Sequence, residues 1–116
     1  MKNKTLSKDS DYHTDAVLGL SLNPFDKKIV ASGSADSKVI IWDLMKCTPL
    51  LNYKEHFNKV QTVKFNKCED NVLLSGSYDH IIKIYDIRNN KSATQLKVSE
   101  DIESIEFSGL NKYRFL

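Results

Sequence analysis

The stretch SGSADSKVIIWD at Ser32 to Asp43 returns as SGSYDHIIKIYD at Ser75 to Asp86, 43 residues later. Laid over one another without a gap, residues 13–55 and 56–98 match His13 with His56, Val17 with Val60, Asn23 with Asn66, Asp36 with Asp79, Ile41 with Ile84 and Asp43 with Asp86. Ser32, Gly33 and Ser34 likewise fall on Ser75, Gly76 and Ser77. A third copy begins one residue early, because VQTVKF at Val60 to Phe65 returns as IESIEF at Ile102 to Phe107. A fixed period of this length marks one supersecondary unit used repeatedly, which buries its apolar faces by stacking on its neighbours. The chain holds two full units and the start of a third.

Within each unit VLGLSL, KIVASGS, KVIIW and PLLNY are rich in β-branched and aliphatic residues and are separated by turn residues such as NPFD and SADS. This pattern predicts four short antiparallel strands per unit, and no 3.6-residue stripe competes with it. The expected strands run over 16–22, 28–34, 38–43 and 49–54, then 59–66, 71–77, 81–86 and 93–97. Along the first strand the apolar residues step by three and then by two (Val60, Val63, Phe65; likewise Val17, Leu20, Leu22). One such break in a two-residue alternation is what a β-bulge produces. Ala35-Asp36-Ser37 and Tyr78-Asp79-His80 are tight turns in which the Asp side chain accepts backbone N–H bonds.

Composition removes several classes of function. With 116 residues, 41% hydrophobic, 4 Gly and 2 Pro, the chain has the make-up of a globular domain. Its formal charge of +2 comes from interspersed residues, with no run that suggests a nucleic-acid arm or an acidic tail. Cys47 and Cys68 form no CxxC pair and no disulfide framework, so a reducing, intracellular compartment is expected. No apolar run has the length of a membrane span, and the start MKNKTLSKDSDY is polar, so residues 1–11 are expected to form a mobile tail.

Four strands in about 43 residues, with His near the start and Trp-Asp near the end of the third strand, resemble the tryptophan-aspartate (WD) repeat blade of β-propellers. The resemblance implies an all-β partial β-propeller: a tail at 1–11, complete blades at 12–55 and 56–98, and an incomplete third blade at 99–116. The phrases HTDAVLGLSLN, EHFNKVQTVKFN, LLSGSYD and DIES are most similar to the periodic tryptophan protein group. That resemblance implies a non-enzymatic scaffold for protein partners in nucleolar ribosome biogenesis and rRNA processing, located in the nucleus or nucleolus. An adaptor in another assembly, such as a ubiquitin ligase or a splicing complex, is the alternative that the blade motif permits.

In such blades a His, a Ser or Thr, an Asp and a Trp form one buried network. By resemblance these are His13, Ser32, Asp36 and Trp42, then His56, Ser75, Asp79 and Tyr85. The sequence departs from the family pattern where Tyr12 and Glu55 replace a Gly, where Ser37 and His80 replace a Gly, where Tyr85 replaces a Trp, and where the third unit lacks its His. Family geometry places the partner-facing end at Ala16, Leu18 and Ala35, then Lys59, Gln61 and Tyr78, then Asp101 and Glu103. Of these, Tyr78 is the expected anchor, since a Tyr offers large area and a polar tip.

Other chemistries fit less well. A Ser/His/Asp hydrolase is the remote alternative, and such a triad has no need of a second copy at a fixed period. His13, His56 and His80 are separated by whole strands and lack zinc-ligand spacing. The glycines at 19, 33, 76 and 109 build no phosphate-cradling loop. No cofactor, metal, membrane or small-molecule substrate is therefore expected. Lys2, Lys4, Lys8, Lys27 and Lys28 leave direct RNA contact as the weaker alternative to a solvated surface. Propellers close with about four to eight blades. The chain is accordingly expected to be part of a larger propeller or a truncated product, with a ring of several copies as the lesser alternative.

Overall fold

The computed structural model describes residues 12–89 and 92–99. The expected tail at 1–11 and the third unit beyond residue 99 lie outside these residues. Eight strands are formed: β1 (Val17–Leu22), β2 (Ile29–Ser34), β3 (Val39–Asp43), β4 (Thr48–Tyr53), β5 (Val60–Phe65), β6 (Val72–Ser77), β7 (Ile81–Asp86) and β8 (Ser92–Lys97). They make two separate four-stranded sheets in the order β1-β2-β3-β4 and β5-β6-β7-β8, every neighbouring pair antiparallel. Each sheet is a meander, the connection that short turns between consecutive strands permit. The protein is all-β, with two complete blades of a partial β-propeller.

The break in alternation at the first strand corresponds to register shifts between Val17 and Gly19 and between Val60 and Thr62. A second irregularity gave no sequence signal. Ile41 faces Leu51 while Trp42 faces Pro49, and Ile84 faces Thr94 while Tyr85 faces Ser92, so β4 and β8 each carry one extra residue. Pro49 has no N–H to give to the ladder and sits beside this interruption on an edge strand, where its loss is harmless.

The main core lies between the sheets. Ala31, Val39, Ile41 and Tyr53 of the first sheet meet Val60, Val63, Phe65, Leu73 and Tyr85 of the second, all of them buried. Two glycines set how closely the sheets approach. A Cβ on Gly33 would stand 2.6 Å from Val60 Cγ1, and one on Gly19 would stand 3.1 Å from the Cα of Thr62. Two polar links cross the same seam: the Phe65 N–H donates to Ser21 Oγ at 3.0 Å, and Tyr53 Oη donates to the Asn89 carbonyl.

Candidate functional site

At one end of each sheet the turn between the second and third strands meets the loop leading into the first. Both turns are organised by their Asp. Asp36 accepts the N–H of Lys38 at 2.9 Å and that of Thr14 at 2.8 Å; Asp79 accepts those of Ile81 at 2.9 Å and Phe57 at 2.9 Å. The carboxylate thus closes its own turn and ties it to a loop 22 residues distant in sequence. Ser34 and Ser77 reinforce the junction, donating to the carbonyls of Ala16 and Asn58 and accepting from the N–H of Asp36 and Asp79. Ser37 and His80, which stand where the family has glycine, adopt the left-handed conformation that glycine would supply, with φ of 74° and 67°.

Behind each turn runs a chain of side-chain hydrogen bonds. In the first sheet Trp42 Nε1 donates to Ser32 Oγ at 2.7 Å, Ser32 Oγ lies 2.6 Å from His13 Nε2, and His13 Nδ1 lies 3.0 Å from Asp36 Oδ2. The Asp36 carboxylate can only accept, so His13 Nδ1–H donates to it; in the neutral ring Nε2 then accepts from the Ser32 hydroxyl, which itself accepts from the indole N–H. In the second sheet Tyr85 Oη to Ser75 Oγ is 2.7 Å, Ser75 Oγ to His56 Nε2 is 2.6 Å, and His56 Nδ1 to Asp79 Oδ2 is 2.8 Å. A phenol replaces the indole, and the chain stays continuous because its O–H offers the same donor. The structure therefore brings together His13, Ser32, Asp36 and Trp42, and separately His56, Ser75, Asp79 and Tyr85.

Burial and charge act on these groups in opposite senses. Desolvation would raise the Asp36 carboxyl, but bonds from Thr14, Lys38 and His13 outweigh it and hold the group below its ordinary value. Asp79 is lowered in the same way, against its burial, by Phe57, His56 and Ile81. Burial lowers His56 in spite of Asp79, and Lys83 adds to the lowering. Burial raises the Tyr85 phenol well above its ordinary range, so it remains a donor at any physiological pH.

The connectivity of Ser32, His13 and Asp36 is that of a nucleophilic triad, and it occurs twice, again at Ser75, His56 and Asp79. Ser32 and Ser75 are buried, and each Oγ also makes a hydrogen bond with Trp42 Nε1 or Tyr85 Oη. An attacking hydroxyl needs a reachable oxygen and oxyanion donors beyond it. Among the described residues no group of three His, Cys, Asp or Glu side chains could hold a metal ion.

The residues expected to face a partner fall in the same corner. The Ala35 N–H donates to the Ala16 carbonyl at 2.8 Å, and the Tyr78 N–H to the Lys59 carbonyl at 3.0 Å. Leu18 and Gln61 are the residues skipped by the pairing at the two bulges. Ala16, Leu18 and Lys59 are exposed, while Ala35, Gln61 and Tyr78 are half-buried. Asp101 and Glu103 lie outside the described residues. Three further features belong to the tertiary structure. Phe57, beside the second network, is 88% exposed. Lys83 is buried, its Nζ donating to Gln95 Oε1 at 2.7 Å with Glu55 Oε1 3.7 Å away. Asn23 and Asn66 cap the turns after β1 and β5 by accepting two backbone N–H bonds each. Only the asparagines had left a signal, their recurrence at the repeat period.

Two stacked four-stranded meanders, each clasped by a His-Ser-Asp chain ending on an aromatic donor, define a propeller-blade protein. The family model described as WD domain, G-beta repeat, matches residues 4–43 and 47–86, and the chain belongs to this family. It is 33% identical over 106 residues to a coronin-like protein of Schizosaccharomyces pombe, covering 83% of this chain and 18% of that protein. It is 32% identical to a periodic tryptophan protein 1 homolog of Drosophila melanogaster (85% of this chain, 22% of that protein). It is also 32% identical to a U3 small nucleolar RNA-associated protein 15 homolog of Gallus gallus (82% and 18%). The chain thus spans about a fifth of the length of these curated relatives.

Proposed function

We propose that the chain is a non-enzymatic part of a WD-repeat scaffold that binds protein partners in nucleolar ribosome biogenesis, inside the cell and in the nucleolus. The observation that carries the binding role is the corner where the β2–β3 and β6–β7 turns are tied by hydrogen bonds to the loops before β1 and β5. Its backbone donors and acceptors are spent on the fold, through Ala35 with Ala16, Tyr78 with Lys59, and Thr14 and Phe57 with the Asp carboxylates. The side chains of Ala16, Leu18, Ala35, Lys59, Gln61 and Tyr78, with Asp101 and Glu103 by family geometry, are left for recognition. Presenting side chains from pinned loops lowers the entropy lost on binding. The nucleolar assignment is supported by similarity to the periodic tryptophan protein and to the U3 small nucleolar RNA-associated protein. Similarity to a coronin-like protein favours the second reading, an adaptor in a different assembly.

The test is capture of partners by the tagged chain from cell extract, with its location read by microscopy. Nucleolar signal and pre-ribosomal proteins in the eluate are expected. The pair Lys59→Glu with Tyr78→Ala should weaken capture with the unfolding midpoint within about 0.5 kcal/mol of the original, as for other surface changes. The control pair Lys27→Glu with Lys28→Glu, in the β1–β2 loop, should capture normally. Loss of capture in the control alone would transfer the function to RNA, since phosphate contacts respond to such charges.

A further inference from the structure

The exposed apolar residues of the two sheets divide into two groups when compared across the repeat. Leu20 and Leu22 are 69% and 66% exposed, but their counterparts Val63 and Phe65 are each 3% exposed because the first sheet covers them. Exposure at those positions belongs to blade stacking. Phe57 differs. Its counterpart is Thr14, which is exposed with the second sheet standing beside its own, while Phe57 is 88% exposed with the first sheet standing beside its own. A neighbour on either side therefore leaves this position open, and ring packing gives no reason for a large aromatic there. The clasp gives none either, because only the backbone N–H of Phe57 enters it, as does that of Thr14.

The surroundings state what chemistry would suit this ring. Lys59 is exposed two residues on, and Tyr78 is joined to it through the backbone. The first repeat carries only Ala16 and Ala35 at those places. Among the described residues, two carboxylates of this corner are engaged, Asp79 by His56, Phe57 and Ile81, and Glu55 by Lys83. This corner thus holds an exposed cation, Lys59, with the exposed Phe57 two residues before it and the half-buried Tyr78 bonded to it through the backbone. Single-stranded nucleic acid asks for a cationic groove along several phosphates, whereas one cation beside aromatic anchors suits a protein segment. We propose that Phe57, Lys59 and Tyr78 anchor a protein segment that presents an acidic side chain next to an apolar one. This deepens the scaffold function proposed above and rests on it.

The full chain, immobilised, is to be offered a display library of short random peptides. Enriched peptides should place Asp or Glu beside Leu, Ile, Val or an aromatic residue. Phe57→Ala should weaken them by about tenfold or more, as for an interface anchor, with an unchanged unfolding midpoint. Lys59→Glu should shift enrichment toward basic peptides. Enriched peptides that lack acidic residues, or that bind Phe57→Ala as well as the original chain, overturn the site and leave the scaffold function standing. Labelled oligouridylate binding that is lost in Phe57→Ala overturns it in favour of RNA. Failure to enrich any peptide also overturns it, and the capture experiment then decides the scaffold function separately.

Discussion

At the scale of single residues, the two clasps show how one hydrogen-bond chain survives a change of terminus. Trp42 can only donate to Ser32, whereas Tyr85 can donate or accept, and its raised phenol pKa keeps the proton available to Ser75. The neutral imidazole of His56 fits this chain, as Nδ1–H faces Asp79 and Nε2 accepts from Ser75. Protonating Nε2 sets its new proton against that of Ser75 in a buried place. The pH dependence follows. In the unfolded chain His56 titrates near about 6.5, whereas in the folded chain it titrates lower. The unfolded state thus binds more protons on the acid side, so stability is full above about pH 6.5 and falls as pH drops through that value. Asp36 and Asp79, also lowered, stabilise the fold above the ordinary carboxylate range and lose that contribution as pH falls through their folded values. Denaturant midpoints measured at pH 7 and pH 5 should differ, with the acid value lower, and His56→Asn should shrink the difference. A difference that persists undiminished in His56→Asn would assign the acid sensitivity elsewhere.

At the scale of elements, turns and sheet spacing are decided by where a Cβ can be tolerated. Ser37 carries a side chain at φ 74° in the β2–β3 turn, a conformation that costs a non-glycine residue roughly 1 kcal/mol. Ser37→Gly should stabilise the chain by about 0.5 kcal/mol, because relief of that strain exceeds the extra entropy glycine loses on folding. Thermal unfolding would register the gain, and a lower midpoint would mean that the serine side chain has a partner worth more than the strain. Gly33 poses the reverse case. A methyl there would meet Val60 Cγ1 at 2.6 Å, and forcing the sheets apart in a packed core costs about 1 to 3 kcal/mol. Gly33→Ala should lower stability by that amount, and adding Val60→Ala should restore part of it, giving a coupling in the double-mutant cycle. Strict additivity of the two losses would show that Gly33 acts through its own backbone.

At the scale of the whole molecule, the repeat leaves one face of the first sheet uncovered by any of the described residues. Val17, Leu20, Leu22 and Leu44 are exposed there, and a concavity of about 490 Å³ is lined by His13, Val17, Val30, Trp42 and their neighbours. Of the equivalent positions in the second sheet, Val60, Val63 and Phe65 form the core and Ile87 packs against it. Large uncovered apolar patches drive association in water. Light scattering of the chain at rising concentration should show self-association, and Leu20→Asp with Leu22→Lys should reduce it while the fold persists. The matching change Val63→Asp should unfold the chain, since it buries an unpaired charge. Equal tolerance at Leu20 and Val63 would contradict the stacking of the two sheets.

Sequence by itself determined the strands, the Asp turns and the first bulge, because each depends on signals within a few residues: alternation along VQTVKF, turn chemistry at Ala35-Asp36-Ser37, and the 43-residue period. Its period also made His13, Ser32 and Asp36 legible as recurring residues, and the resemblance to the family joined Trp42 and Tyr85 to them. Tertiary structure alone decided that Val60 is core while Val17 is surface, that a phenol at Tyr85 reaches Ser75, that Lys83 lies buried against Gln95 and that Phe57 stands in water. The second bulge, in β4 and β8, belongs with these, since it depends on pairing across strands. The physical reason is common to all of them. Local propensity is a property of the chain and is the same in both repeats, whereas burial is a property of whatever stands opposite, and the two repeats do not have the same neighbours.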